Sequence, residues 1–248
     1  MKNVILLFVF LVATCVVNAQ LPWELPAKSG IWDYPIKPGT EEWRQLKTNE
    51  EMVRTCQIPE EVLSSISTED LTILCLRYPR LWHFTAFENT NTGLDQLFSE
   101  FNGIRELYQR KDVSRSMTKR YTEKIQSLSF LEDNNDDAEK GSFIISVSVM
   151  EALLSRIERQ DSEGNDNLKE VLQCLVAGYE EKLKYADYFK GSGFKNNFYS
   201  RAHIIAKMDS SFVERLPKKE YNAVLYSGRV ADEYTIDVIN ELSYTLIK

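Results

Sequence analysis

Apolar positions recur at three- and four-residue intervals along most of this chain, and each run fits one face of an α-helix. Leu94, Leu97, Phe98, Phe101, Ile104, Leu107 and Tyr108 mark one such face, and Val113, Met117, Tyr121, Ile125 and Leu128 a narrower one. Phe143, Val147, Met150, Leu154 and Ile157 form a third, and Leu168, Leu172, Leu175, Tyr179 and Ala186 a fourth. Phe198, Ala202, Ile205 and Met208 predict another helix, a short one ends at Gly228, and Tyr234, Val238, Leu242 and Leu246 close the chain. Upstream, Thr48-Asn49-Glu50-Glu51 and Ser67-Thr68-Glu69-Asp70 have capping-box spacing, and Pro59 suits a first helical turn. Short helices are therefore predicted over 41–47, 49–56, 59–66 and 68–78, the last ended by Tyr78-Pro79. Asn89-Thr90-Asn91-Thr92-Gly93 reads as a loop. The run Ile144-Ile145-Ser146-Val147-Ser148-Val149 is β-branched enough to compete for strand, but no convincing alternating strand with a hairpin turn accompanies it. The expected fold class is all-α: a stack of antiparallel helix pairs, as in a short degenerate HEAT/armadillo-like solenoid, or a compact helical bundle, forming one domain over 41–248.

Two N-terminal stretches break this pattern. Met1-Lys2-Asn3 is a short positive start, Val4 to Val17 is apolar, and Val17-Asn18-Ala19 puts suitable residues ahead of a cut before Gln20. Residues 1–19 read as a signal peptide, which predicts an exported chain, periplasmic or extracellular, with no transmembrane segment after cleavage. Val12-Ala13-Thr14-Cys15 offers the minor alternative of a lipoprotein anchored through Cys15. Intact mass of the exported form decides between them: a chain starting at Gln20 is expected, and a diacylglyceryl-modified Cys15 terminus would refute it. Residues 20–40 hold Pro22, Pro26, Pro35 and Pro38 with Trp23, Trp32 and Tyr34 between them. Proline fixes φ and removes a donor, so this segment should run extended, either as a strap pinned across the body by its aromatics or as a proline-rich ligand for another module.

Cys56-Gln57-Ile58-Pro59-Glu60-Glu61-Val62-Leu63-Ser64-Ser65, Ser67-Thr68-Glu69-Asp70-Leu71 and Phe101-Asn102-Gly103-Ile104-Arg105-Glu106-Leu107 resemble a family of uncharacterised exported helical proteins of Bacteroidota. The resemblance runs over most of the chain after the signal peptide. It implies compartment and fold, and it supplies no catalytic residue.

Composition narrows the function. A chain of 248 residues with 43% hydrophobic and 27% charged residues has the apolar content for a core. Its formal charge of −7 argues against nucleic acid as a partner. His83 and His203 are its two histidines, so a multi-histidine metal centre is excluded. Cys56, Cys75 and Cys174 fall inside helical patterns and read as buried thiols, with a Cys56–Cys75 disulfide as an alternative; a cysteine nucleophile would need an adjacent base, and none has one in sequence.

The remaining candidates are incomplete as chemistry. Asp133, Asn134, Asn135, Asp136 and Asp137, and Asp161, Glu163, Asn165 and Asp166, suggest calcium loops, but neither has Gly at position six nor Glu at twelve, so both read as solvated turns. Lys111, Arg115 and Lys119, with Arg110, Arg120 and Lys124 alongside, form a basic stripe suited to a solvated face or an anionic partner. The densest polar-aromatic stretch runs from Tyr185 to His203, opened by the turn Gly191-Ser192-Gly193. Ser200 stands three residues before His203, near enough on a helix for the side chains to approach, but an orienting acid and an oxyanion hole are not legible. Asn196, Asn197, Tyr199, Arg201 and His203 are the candidate ligand-binding residues, because aromatics beside amides and a guanidinium suit sugar or peptide recognition; an inter-helix polar lock is the competing role. No cofactor and no metal is implied. The expected function is an exported non-catalytic scaffold or binding protein presenting a groove to a peptide, protein or glycan; the alternative is an all-α cell-wall or glycan hydrolase working through paired carboxylates.

Overall fold

A computed structural model describes residues 30–160, 165–228 and 232–248. Residues 1–19, expected to be a signal peptide, with Cys15 among them, the first half of the expected strap, and Asp161 and Glu163 of the second acidic loop lie outside the described residues. Within them the chain is helical, with no strand. Four short helices come first: α1 (Glu41–Gln45), α2 (Asn49–Thr55), α3 (Glu60–Ser65) and α4 (Thr68–Leu76). Then follow α5 (Thr90–Glu100), α6 (Asn102–Leu107), α7 (Val113–Gln126), α8 (Phe130–Asp133), α9 (Asp137–Leu154) and α10 (Asp166–Lys184). The C-terminal part comprises α11 (Lys195–Met208), α12 (Phe212–Arg215), α13 (Lys218–Ser227) and α14 (Glu233–Leu246).

Local signals set most of these boundaries. Thr48 and Glu51 form a reciprocal capping box at α2, and Ser67 caps α4 through the Asp70 N–H at 3.1 Å. Gly228 ends α13 in the left-handed region at φ 61°, which a side chain disfavours. The β-branched run 144–149 lies inside α9, where it buries Val147 and Val149, so packing overrides strand propensity.

Two expectations are corrected. The stretch 89–93 is not a loop: Asn89 accepts the Thr92 N–H at 2.9 Å and so caps α5, and Gly93 lies within its first turns. Helix and neighbour approach so closely there that a Cβ on Gly93 would sit 2.1 Å from the Phe84 carbonyl oxygen. The apolar face over 94–108 is divided between two helices, broken where Phe101 is extended. At the break, Asn102 exchanges two hydrogen bonds with the backbone of Ile58, at 3.0 and 2.7 Å. Gln57 meanwhile accepts the Asn102 N–H at 3.1 Å and donates to the Glu100 carbonyl at 3.1 Å. These side-chain bonds satisfy backbone groups that the broken helix leaves open.

α7, α9, α11 and α10 pack in a closed ring, each against two others, and together they form the centre of the molecule. α4 and α6 lie against one another on one side, with α4 also on α7, while α14 covers α10 and α11 on another. α13 touches α5, returning the C-terminal part to the first long helix, which is the bundle-like feature of this all-α stack. Residues 30–40 cross the body as a non-helical segment: Tyr34 is buried and donates to the Leu74 carbonyl at 2.9 Å, and Asp33 pairs with Arg77 at 3.1 Å. Cys56, Cys75 and Cys174 are free thiols, so the Cys56–Cys75 disulfide is not formed.

Candidate functional site

Each helix of the central ring sends one or more polar groups inward. Glu151 of α9 is fully buried and accepts from Lys182 of α10 at 2.8 and 3.0 Å, from Tyr121 of α7 at 2.7 Å and from Asn197 of α11 at 3.0 Å. Lys182 places its third N–H on the Gly193 carbonyl at 2.9 Å, and Ser200 donates to the Glu151 backbone carbonyl. Desolvation lowers the Lys182 pKa and the Glu151 carboxylate opposes that shift; burial, then Glu151, raises the Tyr121 phenol well above its usual range. This cluster is closed to solvent, with cation and anion matched.

Of the five expected ligand-binding residues, Asn196 and His203 are half-buried and the other three are interior. Asn197, Tyr199 and Arg201 are buried. Asn197 also donates to the Leu175 carbonyl at 2.9 Å, and Tyr199 donates to Asn91 at 2.5 Å. Asn196, half-buried, donates to the Ser148 carbonyl at 3.1 Å. Arg201 lies among α10, α11 and α14, with Nε on Ser243 at 2.9 Å and the rings of Tyr179 and Phe198 at 5.3 and 5.6 Å. Arg201 and His203 stand in mid-helix. The polar-lock role describes this placement, and a surface ligand does not reach Asn197, Tyr199 or Arg201.

Ser200 and His203 do not form a dyad. The serine hydroxyl is engaged with Glu151, and the imidazole Nε2 bonds the Leu225 carbonyl at 2.9 Å. A carbonyl only accepts, so Nε2 carries the proton. Burial pulls the His203 pKa down to about 4, against the Leu225 hydrogen bond. The folded protein therefore binds fewer protons than the unfolded one between about pH 4 and 6.5, and stability falls as pH drops through that window. Denaturant melts from pH 7 to pH 4 should show this loss, amounting to about 3 kcal/mol for the shift. His203→Gln should flatten that part of the profile, and an unchanged slope in the variant would assign the loss to other groups.

The basic stripe is largely engaged. Arg110 donates to the Leu63 and Ile66 carbonyls at 2.8 and 2.7 Å, Lys119 pairs with Glu69 at 2.7 Å, and Arg120 pairs with Glu123 at 2.8 Å. Lys124 lies 3.8 Å from the centre of the Phe143 ring, and burial lowers its pKa to about 8. The first acidic loop borders a broad open hollow of about 770 Å³ lined by Phe130, Asp133, Asn134, Asn135, Asp136 and Glu139. Asp136 caps α9 through the Ala138 and Glu139 N–H groups at 2.8 and 3.1 Å, and Glu139 accepts from Asn134 at 2.6 Å, so both acids serve the turn. No group of three or more metal-ligating side chains occurs among the described residues.

One surface feature was not legible in sequence. A groove of about 420 Å³ opens between α7 and α10 and continues to the turn after α7. From α7 and that turn it takes Thr122, Ile125, Gln126 and Ser129; from α10 it takes Cys174, Ala177, Gly178 and Glu181, with Tyr185 at the end. Its wall includes Tyr121, the same residue whose hydroxyl holds Glu151. Gly178 makes this possible: a Cβ there would lie 2.1 Å from the Tyr121 hydroxyl oxygen. Gly178→Ala should therefore cost about 1–3 kcal/mol through forced displacement of Tyr121, read as a drop in denaturation midpoint. A midpoint equal to the parent's would show that the ring has room to move. Cys174 sits half-buried in the wall, its sulfur 3.4 Å from the Thr122 hydroxyl, and burial raises its pKa to about 11.

Comparison with protein-family models, curated proteins and solved structures returned no match.

Proposed function

We propose that this protein is an exported, non-catalytic helical binding protein that presents the α7–α10 groove to a peptide, protein segment or glycan. The groove itself carries the reading. Its volume falls in the range of ligand sites, about 300–1,000 Å³, and it combines apolar side chains from Ile125, Leu128 and Ala177 with hydrogen-bonding groups from Thr122, Gln126, Ser129 and Glu181. Glycoside hydrolysis requires two carboxyl groups about 5–10 Å apart across the scissile bond. The groove lining contributes one, Glu181, while the carboxylate of Glu151 is enclosed by Lys182, Tyr121 and Asn197. Export rests on residues 1–19, and no described helix is long and apolar enough to cross a membrane.

A thermal-shift panel of oligosaccharides and peptides tests binding, because a ligand that prefers the folded state raises the melting temperature. A rise that disappears in Ala177→Trp supports the groove, since Ala177 is exposed and its replacement fills the groove without entering the core. Release of reducing ends from a glycan, lost in Glu181→Gln, would instead establish the hydrolase.

A further inference from the structure

We infer that the α7–α10 groove recognises an uncharged oligosaccharide, a specificity that rests on the groove being the binding site proposed above. The first argument is charge. Glu181 is the one acidic side chain in the lining, and no Lys, Arg or His lines it. An anionic ligand would find no cation in the lining, since Lys184 lies outside it and is paired with Glu181. A cationic ligand would find a single carboxylate, partly neutralised by the exposed Lys184 at 2.6 Å, and no second acid in the lining to hold it.

The second argument is hydrogen-bond type. Thr122 and Ser129 hydroxyls and the Gln126 amide each donate and accept, and the Glu181 carboxylate accepts. That mixture complements sugar hydroxyls, which also do both. Tyr185, half-buried at the end of the groove, supplies the aromatic surface on which the apolar face of a pyranose can rest.

The third argument weighs against a peptide. An extended peptide takes its affinity from unpaired main-chain groups at a sheet edge, whereas the interior turns of α7 and α10 have their backbone groups bonded within the helix. A docked amphipathic helix needs a continuous apolar trough, and here Thr122, Gln126, Ser129 and Glu181 interrupt one.

Cys174 provides the readout, because it lies in the groove wall while Cys56 and Cys75 are buried. The full chain is alkylated with iodoacetamide at mildly alkaline pH, and modification of Cys174 is followed by peptide mass. Four probes are compared: a neutral glucose oligosaccharide, a neutral N-acetylglucosamine oligosaccharide, heparin and an amphipathic helical peptide. Slowing of Cys174 alkylation by a neutral oligosaccharide is expected. Ala177→Trp should abolish that protection, and Gln126→Ala should weaken the apparent affinity about five- to tenfold, the loss of one uncharged hydrogen bond. Protection by heparin or the peptide and by neither neutral sugar overturns the sugar assignment while leaving a binding groove in place. Protection by a neutral sugar that persists in Ala177→Trp places the sugar elsewhere and overturns the inference. If no probe protects Cys174, the inference and the groove reading fall together.

Discussion

Replacing Lys182 with Met should lower the unfolding free energy by about 3–5 kcal/mol, because it leaves a buried carboxylate with no cation. Met retains the aliphatic stem, so the loss reports the ammonium, with its ion pair and its bond to the Gly193 carbonyl, rather than an emptied cavity. Glu151 would keep its bonds from Tyr121 and Asn197 at 2.7 and 3.0 Å, but neither supplies a positive charge. The triple variant Glu151→Leu, Lys182→Met, Tyr121→Phe removes the anion, the cation and the phenol hydroxyl together. It leaves the Gly193 carbonyl and one Asn197 N–H without their partners, while Asn197 keeps its bond to the Leu175 carbonyl at 2.9 Å. Its stability should exceed that of the single variant, since apolar residues commonly replace a buried ion pair at little loss, and should fall short of the parent's by the cost of those two groups. Urea denaturation at neutral pH checks both. A single variant within about 1 kcal/mol of the parent would mean that the bonds from Tyr121 and Asn197 suffice for Glu151, and that the ring does not depend on charge matching.

Arg201 should respond in opposite directions to two substitutions. Its side chain is fully buried, no carboxylate lies within ion-pair distance among the described residues, and Nη1 has no hydrogen-bond partner. Burial lowers its pKa to about 10, which records the cost of holding that charge away from water. Arg201→Ala empties the space between Tyr179 and Phe198 and should cost about 2–5 kcal/mol, as large-to-small core changes do. Combining it with His203→Ala should deepen the loss, because the Leu225 carbonyl then loses the bond from Nε2. Arg201→Met keeps the packed stem and removes the unmatched charge. Ser243 still donates to the Ile239 carbonyl at 2.6 Å, so no new buried donor is stranded. Its stability should equal the parent's or exceed it by about 1–4 kcal/mol. If Met destabilises as much as Ala, the guanidinium contacts with Ser243, Tyr179 and Phe198 contribute more than the desolvation they offset.

Burial on α11 is hard to read from sequence. Polar and aromatic residues clustered after a glycine-flanked turn look like a recognition surface, because loops commonly carry such residues outward. Sequence spacing cannot show which way a helix faces when four neighbours surround it. On α11, Phe198, Ala202 and Ile205 point inward as the periodicity predicts, but Asn197, Tyr199, Ser200 and Arg201 are also buried. A helix enclosed by α9, α10, α13 and α14 has little solvent face left to hold them.

Helix periodicity, caps and breakers determined the class of this protein. Leu168, Leu172 and Leu175 had to share a face because 3.6 residues make a turn, and Thr48, Ser67 and Gly228 mark ends through bonds and torsions that span only a few residues. These are local interactions, and local interactions are written in sequence order. Other features required the tertiary structure. The break at Phe101 depends on Gln57 and Ile58, more than forty residues away in the chain. Glu151 finds Lys182, Tyr121 and Asn197 only once four helices close into a ring, and the groove beside Tyr121 exists because Gly178 on another helix leaves room for that ring. Such contacts are set by how helices approach one another, and a sequence of one chain carries no direct record of that distance.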